Sequence, residues 1–412
     1  MARVTGLIKR HPALRWVAPT AAVAVAAAVA VATTAAARAD DHPVLPAVTA
    51  EQLLTDTMST TTQSLSGTAK VTANLGLPQI PGISGAVSGT GVVPGGAASL
   101  AAGSSSASPA LTGLTTLLTG SHTLRVWADG PQRSRVAIIT DGGESDVIRN
   151  GTDLWLWQSA GKQALHATLP ATSAADKAKQ LTPAEQQQLQ KVLGQLPSTP
   201  QQAAQQLLAA AGTSTDVSVG ATTRVAGHPA YQLVATPKDK GTLVSRIVVA
   251  IDSTTYVPLK TDVYSTQLSA PAVSVGFTDV SFTAPSADTF TFTPPAGTTV
   301  QQWTAPTGTP EKPSGTTGTK PDVAVTGTGW ATVVVAHLPA GSPVAGLSEG
   351  TANGKGAGAL GMLPAVSGSW GSGHALTGTL FSAIVTTDGR VAIGAVPVET
   401  LESALAHAGT GQ

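Results

Sequence analysis

Between Arg246 and Val300 the chain is a succession of short β-runs with almost no reactive side chain among them. Val248, Ala250, Val257, Leu259, Val263, Val273, Val275 and Phe277 fall at strand spacing, and Asp252 and Pro258 punctuate them. Runs this short and this close together fold as antiparallel sheet, so the expected class is mainly β with helices. A sheet so apolar, and so poor in acids, bases and nucleophiles, points to a surface that holds something greasy rather than one that transforms it.

The rest of the 412 residues bounds the setting. There is room for two folded units and a linker. Charged residues make up only 11%, against roughly a quarter in ordinary soluble domains, which argues against nucleic acid as a partner. The chain has no cysteine, so a disulfide framework, a thiolate metal site, a cysteine nucleophile and lipid attachment at an N-terminal cysteine are all excluded. If lipid is involved, it is a ligand.

The balance of 23 basic and 23 acidic residues hides an asymmetry. Arg3, Lys9, Arg10, Arg15 and Arg38 all precede the first acid, Asp40, and the remainder of the chain carries a net charge of −5. The apolar run from Val17 to Ala37 and the Ala37-Arg38-Ala39 triplet complete the pattern of a secretory signal over residues 1–39. The competing reading is a retained anchor over 17–37, long enough to span a bilayer. The many Ala and Thr residues and Pro19 favour cleavage. Either reading places the bulk of the protein outside the cytoplasm, secreted or in the cell envelope.

Thr49-Ala50-Glu51-Gln52 has the form of a capping box, which predicts a helix over 50–62. A strand over 66–75 follows, and then a Gly, Pro and Ser-rich insertion over 76–113. From His122 the turns are legible: strands over 122–128, 133–140, 154–157 and 164–169 are separated by Asp129-Gly130-Pro131, Asp141-Gly142-Gly143, Asn150-Gly151 and Ser159-Ala160-Gly161. Two amphipathic helices interrupt this meander. Thr182-Pro183-Ala184-Glu185 opens the first, with Leu189, Val192, Leu193 and Leu196 at helical spacing; Thr199-Pro200-Gln201-Gln202 opens the second, with Leu207 and Leu208 and a stop at Gly212. Strands resume over 216–224, 230–235, 246–251, 256–265 and 273–282. Residues 305–325 read as a linker, and 326–412 as a small β-rich unit with strands over 330–338, 375–386 and 390–396 and a helix over 398–407. That unit either stands alone or extends the first sheet.

Groups able to do chemistry are scarce. The eight histidines are scattered and none has metal-site spacing. Gly350 to Gly356 has the wrong glycine spacing for a phosphate loop, and Lys355 is followed by Gly356. Gly368-Ser369-Trp370-Gly371 lacks the nucleophile elbow. No catalytic residue, metal or cofactor is therefore expected, and the chain is not expected to be an enzyme. Asp153-Leu154-Trp155-Leu156-Trp157 stands apart because it is apolar on both faces of a strand. Either it is covered on both sides by core, or one pair, Trp155 with Trp157 or Leu154 with Leu156, lines a cavity.

The order helix, strand, meander, paired helices, meander resembles the LolA-like superfamily of lipoprotein carriers and MucB/RseB-type N-terminal domains over residues 47–304. The motifs that carry it are Asn150 to Trp157, Val225-Ala226-Gly227-His228-Pro229-Ala230-Tyr231-Gln232-Leu233, Ile251-Asp252 through Val257-Pro258-Leu259-Lys260, and Phe277-Thr278-Asp279-Val280 with Phe290 to Pro295. The resemblance implies a curved antiparallel half-barrel whose hollow is closed by amphipathic helices, here those near 183–211, and a cavity for acyl chains. Hydrophobicity nominates Trp127, Leu154, Trp155, Leu156, Trp157, Leu189, Leu193, Leu207, Val248, Val275 and Phe277 as its lining. The insertion at 76–113 and the unit beyond 325 lie outside the resemblance.

Three functions follow. The first is an extracytoplasmic carrier that holds lipid or lipoprotein acyl chains non-covalently. The second is a membrane-associated sensor of RseB type that reads such a ligand and contacts a membrane or envelope protein such as an anti-sigma factor. The third is a scaffold whose hollow is filled by its own side chains.

Overall fold

A computed structural model describes residues 42–60, 64–77, 120–140, 142–169, 204–205, 208–209, 211–304, 323–337 and 363–408. The export segment, residues 78–113 of the insertion, the helix expected from 183, and Leu189, Leu193 and Leu207 lie outside the described residues, as does the 350–356 loop.

The first helix, α1 (Ala50–Ser59), begins where the capping box places it, with the Thr49 hydroxyl accepting from the Gln52 N–H at 3.1 Å. Thirteen strands then form one sheet. In chain order they are β1 (Ser64–Ala73), β2 (Gly120–Asp129), β3 (Arg133–Thr140), β4 (Gly143–Asn150), β5 (Asp153–Gln158), β6 (Gln163–Thr168), β7 (Thr215–Val219), β8 (Thr223–Val225), β9 (His228–Pro237), β10 (Val244–Asp252), β11 (Pro258–Ser265), β12 (Pro271–Ser281) and β13 (Thr299–Thr304). Their order across the sheet is β13-β6-β5-β4-β3-β2-β1-β12-β11-β10-β9-β7, with β8 paired to β9. Among the described residues the sheet does not close into a barrel: β13 and β7 are its edges. All pairings are antiparallel except β13 on β6.

β1 joins two meanders that are far apart in sequence, pairing with β2 on one side and β12 on the other. Register shifts at Thr68/Ala69, Val244/Arg246, Ala250/Ile251 and Val263/Tyr264 concentrate in this half of the sheet. Each such irregularity bends the strand that carries it and raises local twist, the physical source of curvature in a wide sheet. At the first, Gly67 is required, because a Cβ there would meet the Phe277 ring at 2.8 Å as well as the Asp279 carbonyl.

Beyond β13 a separate antiparallel sheet has the order β14-β15-β19-β18-β17-β16. Its strands are β14 (Val323–Thr326), β15 (Val333–His337), β16 (Ala365–Gly368), β17 (Gly371–Thr377), β18 (Ser382–Thr386) and β19 (Arg390–Gly394). The terminal helix α2 (Val398–Ala408) lays Leu401, Ala404 and Leu405 on this sheet, in a core with Val333, Val335, Ile384 and Val396. The second sheet is not an extension of the first, but backbone contacts tie the two together. Leu243 N–H donates to the Ala395 carbonyl (2.8 Å), Thr379 N–H donates to the Leu75 carbonyl (2.9 Å), and the Ser265 hydroxyl donates to the Thr379 carbonyl (2.6 Å).

Several expected bounds shift. The run read as one strand over 375–386 is two strands, split where the Gly378 N–H turns back to the Phe381 carbonyl. The run over 216–224 divides into β7 and β8. Trp330 sits in a 3-10 turn (Gly329–Ala331), and β14 begins inside the stretch read as linker.

Candidate functional site

Strand alternation and register together assign each side chain of the large sheet to a face. On one face, Val217, Ala235, Ile247, Val263, Val273 and Ala73 are register partners in sequence across β7, β9, β10, β11, β12 and β1. The row beside it, Val219, Leu233, Val249, Thr261, Val275 and Val71, is broken only by Thr261. The face continues through Ala69, Leu124 and Ile138, and then through Val126, Val136, Val147, Leu156 and Leu165, one residue from each of β2 to β6. An aliphatic surface therefore runs from β7 to β6. Ala69, Val71, Leu124, Val126 and Ile138 are buried at its centre, while Val136, Val147, Leu154, Leu156 and Leu165 are half-buried.

Helix α1 packs on this face at one end. Leu53 is fully buried against Tyr231 and Ile251, with Leu233, Val249 and Val219 beside them. The described residues among 204–211 are helical, as expected, and Gln205 donates to the Glu51 carboxylate of α1 at 2.8 Å. Ala204 is fully buried, and the Gly212 N–H closes the helix on the Leu208 carbonyl at 2.7 Å.

The opposite face is polar at its centre and strapped at one side. Thr68, Lys70, Thr72, Ser274, Lys260 and Asp262 share it, and Asp262 accepts from Lys260 (2.8 Å) and Ser274 (2.6 Å). Over β3 to β6 it is crossed by the segment that leads from β12 to β13, which contains a 3-10 turn (Ala287–Phe290). Phe290 is 1% exposed, with the Arg133 guanidinium 5.9 Å from its ring. Phe292 packs 5.2 Å from Trp155 and 5.8 Å from Trp157. Beneath the strap Arg135 pairs with the buried Asp146, lies 3.7 Å from Glu144, donates to the Thr289 carbonyl at 3.5 Å, and sits 5.6 Å from the Trp127 ring. Burial pushes the Asp146 carboxyl up to about 6, against the opposing pull of Arg135 and with Glu144 adding to the rise.

This geometry sorts the residues nominated from sequence. Leu154, Leu156, Val275 and Phe277 lie on the aliphatic face, Phe277 as part of a filled core with Leu259, Val225 and Ala230. Trp127, Trp155, Trp157 and Val248 lie on the other face, and the two tryptophans of β5 face the strap. Val126, Val136, Val147 and Leu165 share the aliphatic face and were not singled out by sequence. Each is one apolar residue in a strand of alternating pattern, and only the pairing shows that five such strands place them in a row. No group of three or more His, Cys, Asp or Glu that could hold a metal occurs among the described residues. No helix among them is long and apolar enough to cross a membrane.

No family model matches the chain, and no curated protein matches its sequence. In structure it is similar to the Pseudomonas aeruginosa MucA/MucB complex, at 15% identity over 86% of this chain and 96% of that one, with a TM-score of 0.38. It is also similar to MucB in complex with MucA(peri), at 16% identity over 86% and 94%, with a TM-score of 0.39. A LolA superfamily protein from Nitrosomonas europaea aligns at 11% identity over 60% and 99%, with a TM-score of 0.20. The described sheet is open and antiparallel but for β13, with a helix laid on its apolar face.

Proposed function

We propose that the protein is an extracytoplasmic binding or carrier protein that holds the acyl chains of a lipid or lipoprotein against the aliphatic face of its large sheet. The observation that carries this reading is the row Val126, Val136, Val147, Leu156 and Leu165, which crosses five strands without a polar side chain. Only α1 and the helical residues before Gly212 are described on this face, at the β7 to β10 end. The apolar stripe of Leu189, Val192, Leu193 and Leu196 is what such a surface needs as a lid. An acyl chain of about 15 methylenes leaving water supplies on the order of 10 kcal/mol at about 0.8 kcal/mol each. Such affinity needs no reactive side chain.

The basic and apolar pattern of residues 1–39 and the absence of cysteine support an activity outside the cytoplasm with lipid as ligand rather than anchor. A sensor that couples ligand to a protein partner is the second reading. It is favoured by the second sheet, which has its own core and is tied to the end of β1 through Thr379. MucB is solved in complex with MucA, and a partner protein is the corresponding expectation here.

The test is titration of the full chain with a fluorescent hexadecanoyl probe, alongside lipid extraction and mass spectrometry of the purified protein. Saturable binding lost in Val147→Asp and Leu156→Asp but kept in Val248→Asp, which places the charge on the opposite face, supports the reading. Folded protein that binds no probe and carries no lipid, or equal loss in all three variants, overturns it.

A further inference from the structure

From β1 through β6 to β13 no register shift intervenes, so alternation assigns every charged side chain of these strands to a face. Asp129, Glu144, Asp146 and Asp153, the four carboxylates of these strands, fall on the face opposite the aliphatic row, together with Lys70 and all the arginines but one. Arg149 is the exception. It stands on the aliphatic side of β4, one pair in from the Asn150-Gly151 turn, opposite Leu154, and Val147 and Leu156 are the next pair along on that face. His122 on β2 is the only other ionisable group on this side of the same strands.

Arg149 is half-buried, its Nε donates to the Gly151 carbonyl at 3.3 Å, and it has no ion-pair partner among the described residues. The contact with its own hairpin holds the guanidinium at the rim of the face and leaves the terminal nitrogens to meet a ligand. An acyl chain that covers Val147 and Leu156 also takes water away from this charge. A neutral head leaves the charge uncompensated, which costs binding energy. A carboxylate or phosphate head returns charge-assisted bonds in the bidentate form that suits the guanidinium fork. One residue thus penalises one class of lipid and favours the other.

We propose that Arg149 determines specificity on this face by reading the head of the ligand, and that the ligand is a long-chain lipid with an oxyanion head, a carboxylate or a phosphate. The head lies at the β4–β5 rim against the guanidinium, and the chain runs inward over Val147 and Leu156. The proposal rests on the acyl-binding reading of the face and narrows it. The acylated N-terminus of a lipoprotein, whose chains hang on amide, ester and thioether groups, presents no anion where its chains join. A free anionic lipid does.

The experiment is displacement of the fluorescent hexadecanoyl probe from the full chain by hexadecanoate, hexadecyl phosphate and hexadecanol, which share a tail and differ in the head. Both anions should bind at least about tenfold more tightly than hexadecanol, with an excess that shrinks as salt is added. The tighter of the two assigns the head to a fatty acid or to a phospholipid. Arg149→Met, which keeps an apolar stem, should bring both anions down to the level of hexadecanol and leave hexadecanol itself no weaker. Arg125→Met, at an exposed arginine on the opposite face, should change nothing. Arg149→Glu should reverse the order, so that hexadecyltrimethylammonium outcompetes hexadecanoate. Equal affinity for all three heads, or a loss of hexadecanol in step with hexadecanoate in Arg149→Met, overturns this proposal and leaves the acyl-binding face standing. A probe that does not bind at all overturns both.

Discussion

The two faces of the large sheet are finished in different ways. On the polar face the chain supplies its own cover: the strap from β12 to β13 buries Phe290, places Phe292 against the tryptophans of β5 and lies over Arg135 and its buried partner Asp146. On the aliphatic face the side chains are as apolar, yet Val136, Val147, Leu156 and Leu165 stay half-buried. A buried aromatic cluster is expensive to disturb, whereas a row of half-buried aliphatics has hydrophobic free energy still to release on contact with something else. Neighbours in sequence are thereby given opposite tasks, and Leu156 and Trp157 are the sharpest case.

The largest effect should come from the strap. Phe290→Ala removes a ring that is 1% exposed and should cost about 3–5 kcal/mol, read as a lower urea midpoint. Trp157→Ala, at 8% exposed and tilted against Phe292, should fall in the same range. Leu156→Ala, one residue away on the other face, should cost about 1–2 kcal/mol and weaken acyl-probe binding, while Trp157→Ala leaves affinity per folded molecule unchanged. Equal effects of the two variants on both readouts would erase the distinction between the faces.

The charged cluster gives the next effect. Asp146 has a folded-state value near 6, above its ordinary 3.8, so the native state binds its proton more tightly than the unfolded chain does. The stability this contributes is complete below about pH 4 and is lost as pH rises through 6. Its size is on the order of 2–3 kcal/mol for a shift of about two units. Glu144, Arg135 and the Thr289 carbonyl are the polar groups that face it. Denaturant melts at pH 5 and pH 7.5 should therefore show a loss on raising the pH that is largely absent in Asp146→Asn. An unchanged pH slope in that variant would assign the dependence to another group.

How much of this was legible in the sequence depended on whether the signal was local. The capping box at Thr49, the β2 to β6 hairpins and the Gly212 stop could be read because turn and cap chemistry is written within four residues. β13 could not, since Thr299–Thr304 is a short Thr- and Gln-rich run that becomes a strand only by pairing in parallel with β6, far away in sequence. β16 was hidden for another reason: Ala365–Gly368 is four residues long with three small side chains, and its pairing with β17 carries little propensity of its own. The candidate site was half legible: the DLWLW run announced apolar side chains on both faces, and only register shows that the leucines share a row with Val126, Val136 and Leu165. Tryptophan drew the eye by size, yet register turns Trp155 and Trp157 toward the strap, where Phe292 packs tilted against both.

The smallest effect belongs to a turn at the margin of the Phe277 core, against which half-buried Ala226 packs. Val225 and His228 are partnered across a two-residue loop in which Ala226 (φ 50°) and Gly227 (φ 82°) both have positive φ, the geometry of a type I′ hairpin. Alanine in the left-handed region costs roughly 1–2 kcal/mol, and asparagine is the non-glycine residue that enters it most readily. Ala226→Asn should therefore stabilise the fold by a few tenths to about 1 kcal/mol, read as a higher urea midpoint at unchanged slope. The site lies at the end of β9, away from both the strap and the Leu156 row, so neither the pH dependence nor acyl binding should move with it. A gain in stability accompanied by weaker binding would mean that the hairpin yields when ligand enters, and the aliphatic face would then have to be redrawn to include it.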